Sequence, residues 1–197
     1  MVNKPILIVI GGPNGSGKTS LTSRILRHEW LADCTYINPD NIAQEKFGDW
    51  NSPEAVMHAA EYSSQLRYEL LENHKSMIFE TVFSAEEKIH FVQKALQSDY
   101  FVRFFFVGTD SPVINAARIA KRVLDGGHDV PISKIISRYS KSIANCAVIS
   151  REVDRLYVYD NSIDDADPKL LFRMSKGKLI KKYALINEWA NEILSGY

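Results

Sequence analysis

Three features of this 197-residue chain predict an α/β fold, with a mainly parallel sheet flanked by helices. Apolar runs of strand length alternate with longer segments of helical periodicity. The first run, Ile6-Leu7-Ile8-Val9-Ile10, leads through a glycine-rich loop, Gly12 to Thr19, into a helix-like stretch from Ser20 to Leu26. Acidic and polar residues then recur where strand patterns end, the edge at which such sheets gather ligands.

The elements follow in order. Cys34-Thr35-Tyr36-Ile37 reads as a second strand ending at Asn38-Pro39-Asp40. A helical region broken around Gly48 to Pro53 comes next. A long amphipathic helix then runs from about Pro53, a residue suited to a first helical turn, to about Asn73. Met77-Ile78-Phe79 is a third strand ending at Glu80, and residues from about 85 to 97 are helical, with Ile89, Val92 and Leu96 on one face. Phe101 to Val107 is the most apolar strand, its aromatic residues being sheet core. Ser111-Pro112 starts a helix to Leu124, a turn spans Asp125 to Asp129, and Pro131 starts a helix to about Val153. Leu156 to Tyr159 is a fifth strand, residues 170–180 form a β-hairpin about Lys176-Gly177-Lys178, and Ile186 to Leu194 is a last helix.

Composition sets outer bounds. The length suits one domain, residues 1–197, with a sizeable core. Lys+Arg and Asp+Glu balance at 24 each, so no basic excess points to nucleic acid or an anionic membrane. Cys34 and Cys146 lie far apart without metal-ligand spacing and read as reduced thiols. Pro5 and the glycine-rich loop interrupt a five-residue apolar run, which argues against a signal peptide. No apolar segment approaches the roughly 18–20 residues of a membrane span. A cytoplasmic protein is expected.

The loop carries the chemistry. Gly12-Pro13-Asn14-Gly15-Ser16-Gly17-Lys18-Thr19 matches the pattern G-x-x-x-x-G-K-[ST], placed between a strand and a helix as that pattern requires. Glycines let successive N–H groups face one anion, and the helix N-terminus adds partial positive charge. The expected fold is therefore the P-loop nucleoside triphosphate hydrolase fold, with a nucleoside triphosphate and Mg²⁺ as ligands. Residues Gly12 to Ser20 are its candidate nucleotide contacts. Lys18 reaches the β- and γ-phosphates, and the Thr19 hydroxyl ligates Mg²⁺.

Phosphoryl transfer further needs cations on the moving group and a carboxylate to deprotonate the acceptor hydroxyl. Asp40 is the candidate base; the alternative is that it caps a helix beginning at Asn41. Glu80, with Thr81 beside it, is a candidate for acceptor hydroxyls or for Mg²⁺ through water, or else a solvated strand end. Arg118 and Arg122 stand four apart on one helix with no acid at their i±4 positions. Arg138 lies on the next helix, across Gly126-Gly127, with Lys121 and Lys134 nearby. These arginines suit a lid over residues 115–140 that closes on the γ-phosphate, or form a solvated basic face. Asn161, after the last parallel strand, is a candidate nucleotide contact. His128 sits in the hinge, and His28, His58, His74 and His90 form no ligand spacing. His58, Tyr62 and Gln65, with Tyr68, offer an acceptor-facing surface on the long helix, the alternative being plain amphipathic surface.

Together the phosphate loop, Asp40, Phe79-Glu80-Thr81, Arg118 and Arg122, Gly126 to Pro131, Arg138-Tyr139 and Tyr159 to Ser162 resemble the zeta-toxin-like P-loop kinases over residues 5–162. The resemblance implies use of ATP and Mg²⁺ to phosphorylate a UDP-activated amino sugar, mainly UDP-N-acetylglucosamine. Lys18, Asp40, Glu80, Arg122 and Arg138 match the family's phosphate-binding, base, acceptor-side and lid-arginine positions. Two departures stand out. Asn41-Ile42-Ala43-Gln44 lacks the arginine that the toxins carry shortly after the aspartate, and the first strand begins by residue 5, which makes an antitoxin partner doubtful. The expected function is thus an ATP-dependent kinase acting on a small-molecule hydroxyl acceptor. The alternatives are a polynucleotide kinase, which the neutral charge disfavours, or a nucleoside kinase, and an ATP-binding regulatory module, which has no use for Asp40.

Overall fold

A computed structural model of the chain describes residues 4–25, 31, 33–48, 52–127 and 129–195. In chain order these form β1 (Ile6–Gly11), α1 (Lys18–Ile25), β2 (Thr35–Ile37), α2 (Pro39–Phe47), α3 (Pro53–Glu72), β3 (Met77–Thr81) and α4 (Glu86–Gln97). They continue with β4 (Phe101–Gly108), α5 (Pro112–Leu124), α6 (Ile132–Ile149), β5 (Arg155–Asp160), β6 (Lys169–Ser175), β7 (Lys178–Lys182) and α7 (Glu188–Ser195).

The strands make one sheet in the order β2-β3-β1-β4-β5-β6-β7. The first five are parallel; β6 and β7, the expected hairpin, extend the same sheet antiparallel. β1 lies between β3 and β4, where the winding of the sheet reverses, so the loop that leaves it opens at the switch point.

Both faces are covered, and alternation along β1 shows how. Leu7 and Val9 join Phe79, Phe104, Phe106 and Val158 in a core closed by α4, α6 and α7. Ile8 and Ile10 join Ile78, Phe105 and Val107 against Leu21 of α1. Leu7, Ile8, Val9 and Ile10 are all fully buried. At about 1.5–3 kcal/mol for each such side chain, this burial fixes the strand that aims the glycine-rich loop. Ile119, Val130 and Ile135 form a third, small cluster between α5 and α6, apart from both sheet cores.

Helix starts obey local chemistry. Ser52 caps α3 and Ser111 caps α5, each followed by a proline in the first turn. α6 ends at Ile149, short of the expected Val153, because residues 150–154 turn back into the sheet. There Val153 is fully buried, and Asp154 accepts a hydrogen bond from the Val102 amide at 2.9 Å.

Candidate active site

The loop between β1 and α1 is tied down from three directions. Asn115 of α5 donates to the Asn14 carbonyl at 2.6 Å, Asn161 donates to the Ser16 carbonyl at 2.8 Å, and Arg138 of α6 donates to the Asn14 side-chain oxygen at 3.3 Å. Asn115 is fully buried and bonded to Thr109, whose carbonyl accepts from Tyr139 at 2.6 Å. Two glycines permit this packing. Gly15 has φ +75°, and a Cβ there would stand 2.7 Å from the Asn115 carbonyl oxygen; Gly17 has φ +89°, and a Cβ would collide with the Asn161 amide. The Lys18 ammonium folds back to donate to the Gly12 and Pro13 carbonyls at 2.9 and 3.0 Å.

Lys18 is also the electrostatic centre of the site. Burial pushes its ammonium down to about 8; Glu80 and Asp40 pull it up, and Arg122 and Arg138 push it further down. Two carboxylates and two guanidinium groups thus act on this one ammonium.

Glu80, 6% exposed, lies inside β3 beside the loop. Tyr36 donates to one of its oxygens at 2.6 Å, and the Thr19 hydroxyl lies 3.4 Å from the other. Burial, then the neighbouring Glu80 charge, holds the Tyr36 phenol well above its usual range, so it stays a donor. Asn38 donates to Tyr36 at 3.1 Å and accepts from the Asp40 amide at 2.9 Å. The solvated-edge alternative for Glu80 does not fit this burial.

The helix-cap alternative for Asp40 also fails. α2 starts at Pro39 with Asn38 as its cap, which places Asp40 in the first turn, exposed and lining the cavity. Proline favours the first helical position, so the cap falls one residue before it.

The cavity, about 750 Å³, lies between loop, α2, α3, the β3–α4 turn, α5 and α6. It brings together Asn14, Gly15, Gly17, Lys18, Thr19, Asp40, Glu80, Thr81, Arg118, Arg122 and Arg138; Gly12, Pro13, Ser16, Ser20 and Asn161 stand outside its wall. Asn161 braces the loop from behind. Arg118 pairs with Asp164 at 2.7 Å while also reaching the cavity edge. His28 and His128 lie outside the described residues.

One expectation needs correction. The α3 face toward the cavity is Pro53, Val56, Ala60 and Arg67, so His58, Tyr62 and Gln65 do not line it. His58 packs on Phe47 with ring centroids 5.7 Å apart and faces Glu54 and Glu61, Lys46 lies over the Tyr62 ring, and Tyr68 packs edge-on against Phe91. α3 is amphipathic on more than one side, and the sequence pattern chose the side that meets α2. Sequence reasoning also missed Tyr36, Asn38, Asn115, Arg67 and Lys88. The Asn-Pro-Asp cap was the one available signal among them, since the others depend on partners distant in the chain.

A phosphate loop on the central strand, carboxylates at the neighbouring strand ends and arginines on a separate helical pair define a phosphotransferase of the P-loop kinase class. The chain belongs to the zeta toxin family: the family model described as "Zeta toxin" matches residues 2–167. An uncharacterized protein of Haemophilus influenzae is 29% identical over 139 residues, covering 71% of this chain and 94% of that one. A structure from the PezAT chromosomal toxin–antitoxin system of Streptococcus pneumoniae superposes with TM-score 0.64 and 16% identity, over 99% of this chain and 80% of that one. The AvrRxo1-ORF1:-ORF2 structure with ATP gives TM-score 0.67 and 14% identity, over 91% of this chain and 61% of that one. Identities this low show the shared fold. Among the described residues no helix is long and apolar enough to cross a membrane.

Proposed function

We propose that this chain transfers the γ-phosphoryl group of ATP to a hydroxyl of a small molecule, with a UDP-activated amino sugar the favoured acceptor. The observation that carries the reading is the convergence of Asp40, Glu80, Arg122 and Arg138 on Lys18 at the mouth of the phosphate loop. The likeness to a fold solved with ATP supports the nucleotide, and the family supports the acceptor.

Each residue then has a task. Lys18 and the loop amides hold the β- and γ-phosphates, and Asp40 takes the proton of the acceptor hydroxyl as its oxygen bonds to the γ-phosphorus. The bond from that phosphorus to the β–γ bridging oxygen breaks, and ADP leaves. Arg122 and Arg138 neutralise charge on the moving group, α5 and α6 (about 115–140) act as the lid over it, Arg118 serves the nucleotide end, and Asn161 holds the loop from outside the cavity rather than touching the nucleotide. Thr19 and Glu80 present only oxygen donors beside the phosphates, a set that suits Mg²⁺, an ion that takes few protein ligands. When bound there, Mg²⁺ would neutralise phosphate charge. A kinase of one domain acting in the cytoplasm fits these substrates. Membership of the zeta toxin family weighs lightly against the doubt over an antitoxin.

Incubation with ATP, Mg²⁺ and UDP-N-acetylglucosamine, followed by mass spectrometry, tests the acceptor. The reading expects a product one phosphate heavier; transfer only to other hydroxyl compounds would remove this acceptor and keep the kinase.

A further inference from the structure

The cavity wall carries seven cations, Lys18, Arg67, Lys88, Arg118, Arg122, Lys134 and Arg138, against three carboxylates, Asp40, Glu80 and Asp129. This excess stands out in a chain whose charges balance overall. Five of the cations belong to the phosphate loop or the helical pair α5–α6. Arg67 and Lys88 do not.

Arg67 projects from α3 and is 2% exposed. Its guanidinium lies 5.0 and 5.3 Å from the ring centres of Phe79 and Phe91, and its Nε has no hydrogen-bond partner. It donates to Glu87 at 3.0 Å and to Ser64 at 3.4 Å. Lys88, in the first turn of α4, reaches the same carboxylate at 2.6 Å. Two cations thus share one carboxylate, itself 43% exposed, and a positive charge is left over. Burial lowers both pKa values, and Arg67 lowers that of Lys88 further. Standing on α3 and α4 rather than on the loop or the α5–α6 pair, these two residues form a second positive pole of the cavity.

We infer that Arg67 and Lys88 form an anion subsite for the acceptor, which is therefore a hydroxyl compound bearing a phosphate or carboxylate group. The inference rests on the kinase reading only for the identity of the molecule that occupies it. Its position fits that molecule: the pole lies on α3 and α4, beside the β3–α4 turn, on elements other than the phosphate loop and the α5–α6 pair that the nucleotide would engage. An anion there would satisfy the surplus charge that Glu87 leaves, and it would orient a hydroxyl toward Asp40.

The test loads the protein with Mg²⁺ and a non-hydrolysable ATP analogue, then titrates inorganic phosphate, and separately acetate, by calorimetry. Wild type is expected to bind one equivalent of one of these anions, and Lys88→Gln to bind it at least tenfold more weakly. The stronger anion of the two arms identifies phosphate or carboxylate as the recognised group. Arg67→Lys, which retains a charge, is the second variant and is expected to show an intermediate loss. No anion bound beside the analogue, or equal binding in Lys88→Gln, overturns the subsite. Failure of the kinase reading would show differently, as absent analogue binding or absent γ-phosphoryl transfer, with the Lys88 dependence of phosphate binding still readable.

Discussion

Tyr36 donates its hydroxyl to Glu80 at 2.6 Å, and through Asn38 the same tyrosine is connected to the amide of Asp40. A single run of hydrogen bonds therefore joins Thr19, Glu80, Tyr36, Asn38 and the turn that carries the proposed base. Tyr36→Phe removes one donor to a buried carboxylate, an interaction worth about 1.5–3 kcal/mol. The variant should need a higher Mg²⁺ concentration for half-maximal activity and lose about tenfold or more in kcat. A magnesium titration identical to wild type would separate Glu80 from the metal.

Asn38 and Asp40 make a paired test of cap against base. Asn38→Ala should cost about 1 kcal/mol of stability, read by denaturant titration. Asp40→Asn should leave stability near wild type and lower transfer by about 10²–10⁴-fold with ATP binding retained. Loss of stability in Asp40→Asn, with activity per folded molecule intact, would return Asp40 to a structural role.

The lowered Lys18 pKa gives a signed pH dependence. Below about 8 the ammonium is charged in both folded and unfolded chains, and the folded state carries the cost of burying it. Between about 8 and the ordinary value of 10.5 the unfolded chain binds more protons, so stability gains from rising pH in that window. The stability of Lys18→Met relative to wild type should therefore fall as pH rises through it. A difference that stays flat from pH 7 to 10.5 would show an unshifted lysine. Lys18→Ala should abolish transfer with the fold intact.

Arg122→Ala and Arg138→Ala should lower kcat more than they weaken ATP binding, because such contacts tighten in the transition state, with losses reaching about 10³-fold for a group acting on the moving phosphoryl. Arg118 is tied to Asp164, so Arg118→Ala should weaken ATP binding and change kcat less. Equal, small effects at all three positions would favour a solvated basic face.

Asn115 is the buried peg between α5 and the loop. Asn115→Ala leaves the Thr109 hydroxyl and the Asn14 carbonyl short of partners, at a cost of about 1–3 kcal/mol measurable by thermal or denaturant unfolding. Unchanged stability would show that Asn161 and Arg138 suffice to hold the loop.

These sites differ in how visible they were in the sequence. The phosphate loop was legible because curling backbone around an anion demands glycines and a lysine at fixed local spacing. The central strands β1, β3 and β4 were legible because strands buried on both faces read as continuous apolar runs. Asp40 and Glu80 followed from where those runs end. The partners that tune them did not, since Tyr36 and Glu80 are 44 residues apart and Asn115 and Asn14 are 101 apart. The cavity face of α3 was missed for a different reason: Pro53, Val56 and Ala60 are small or apolar, whereas the polar His58 and Tyr62 serve a helix–helix contact. Arg67 carries a charge that the pattern assigns to solvent, yet aromatic rings and Glu87 bury it.

The most direct test is transfer of labelled γ-phosphate from ATP to a panel of hydroxyl compounds, run with wild type, Lys18→Ala and Asp40→Asn. The account predicts one labelled acceptor with wild type, none with Lys18→Ala, and a loss of about 10²–10⁴-fold with Asp40→Asn. No labelled acceptor from wild type that binds ATP, or full transfer by Asp40→Asn, would contradict it.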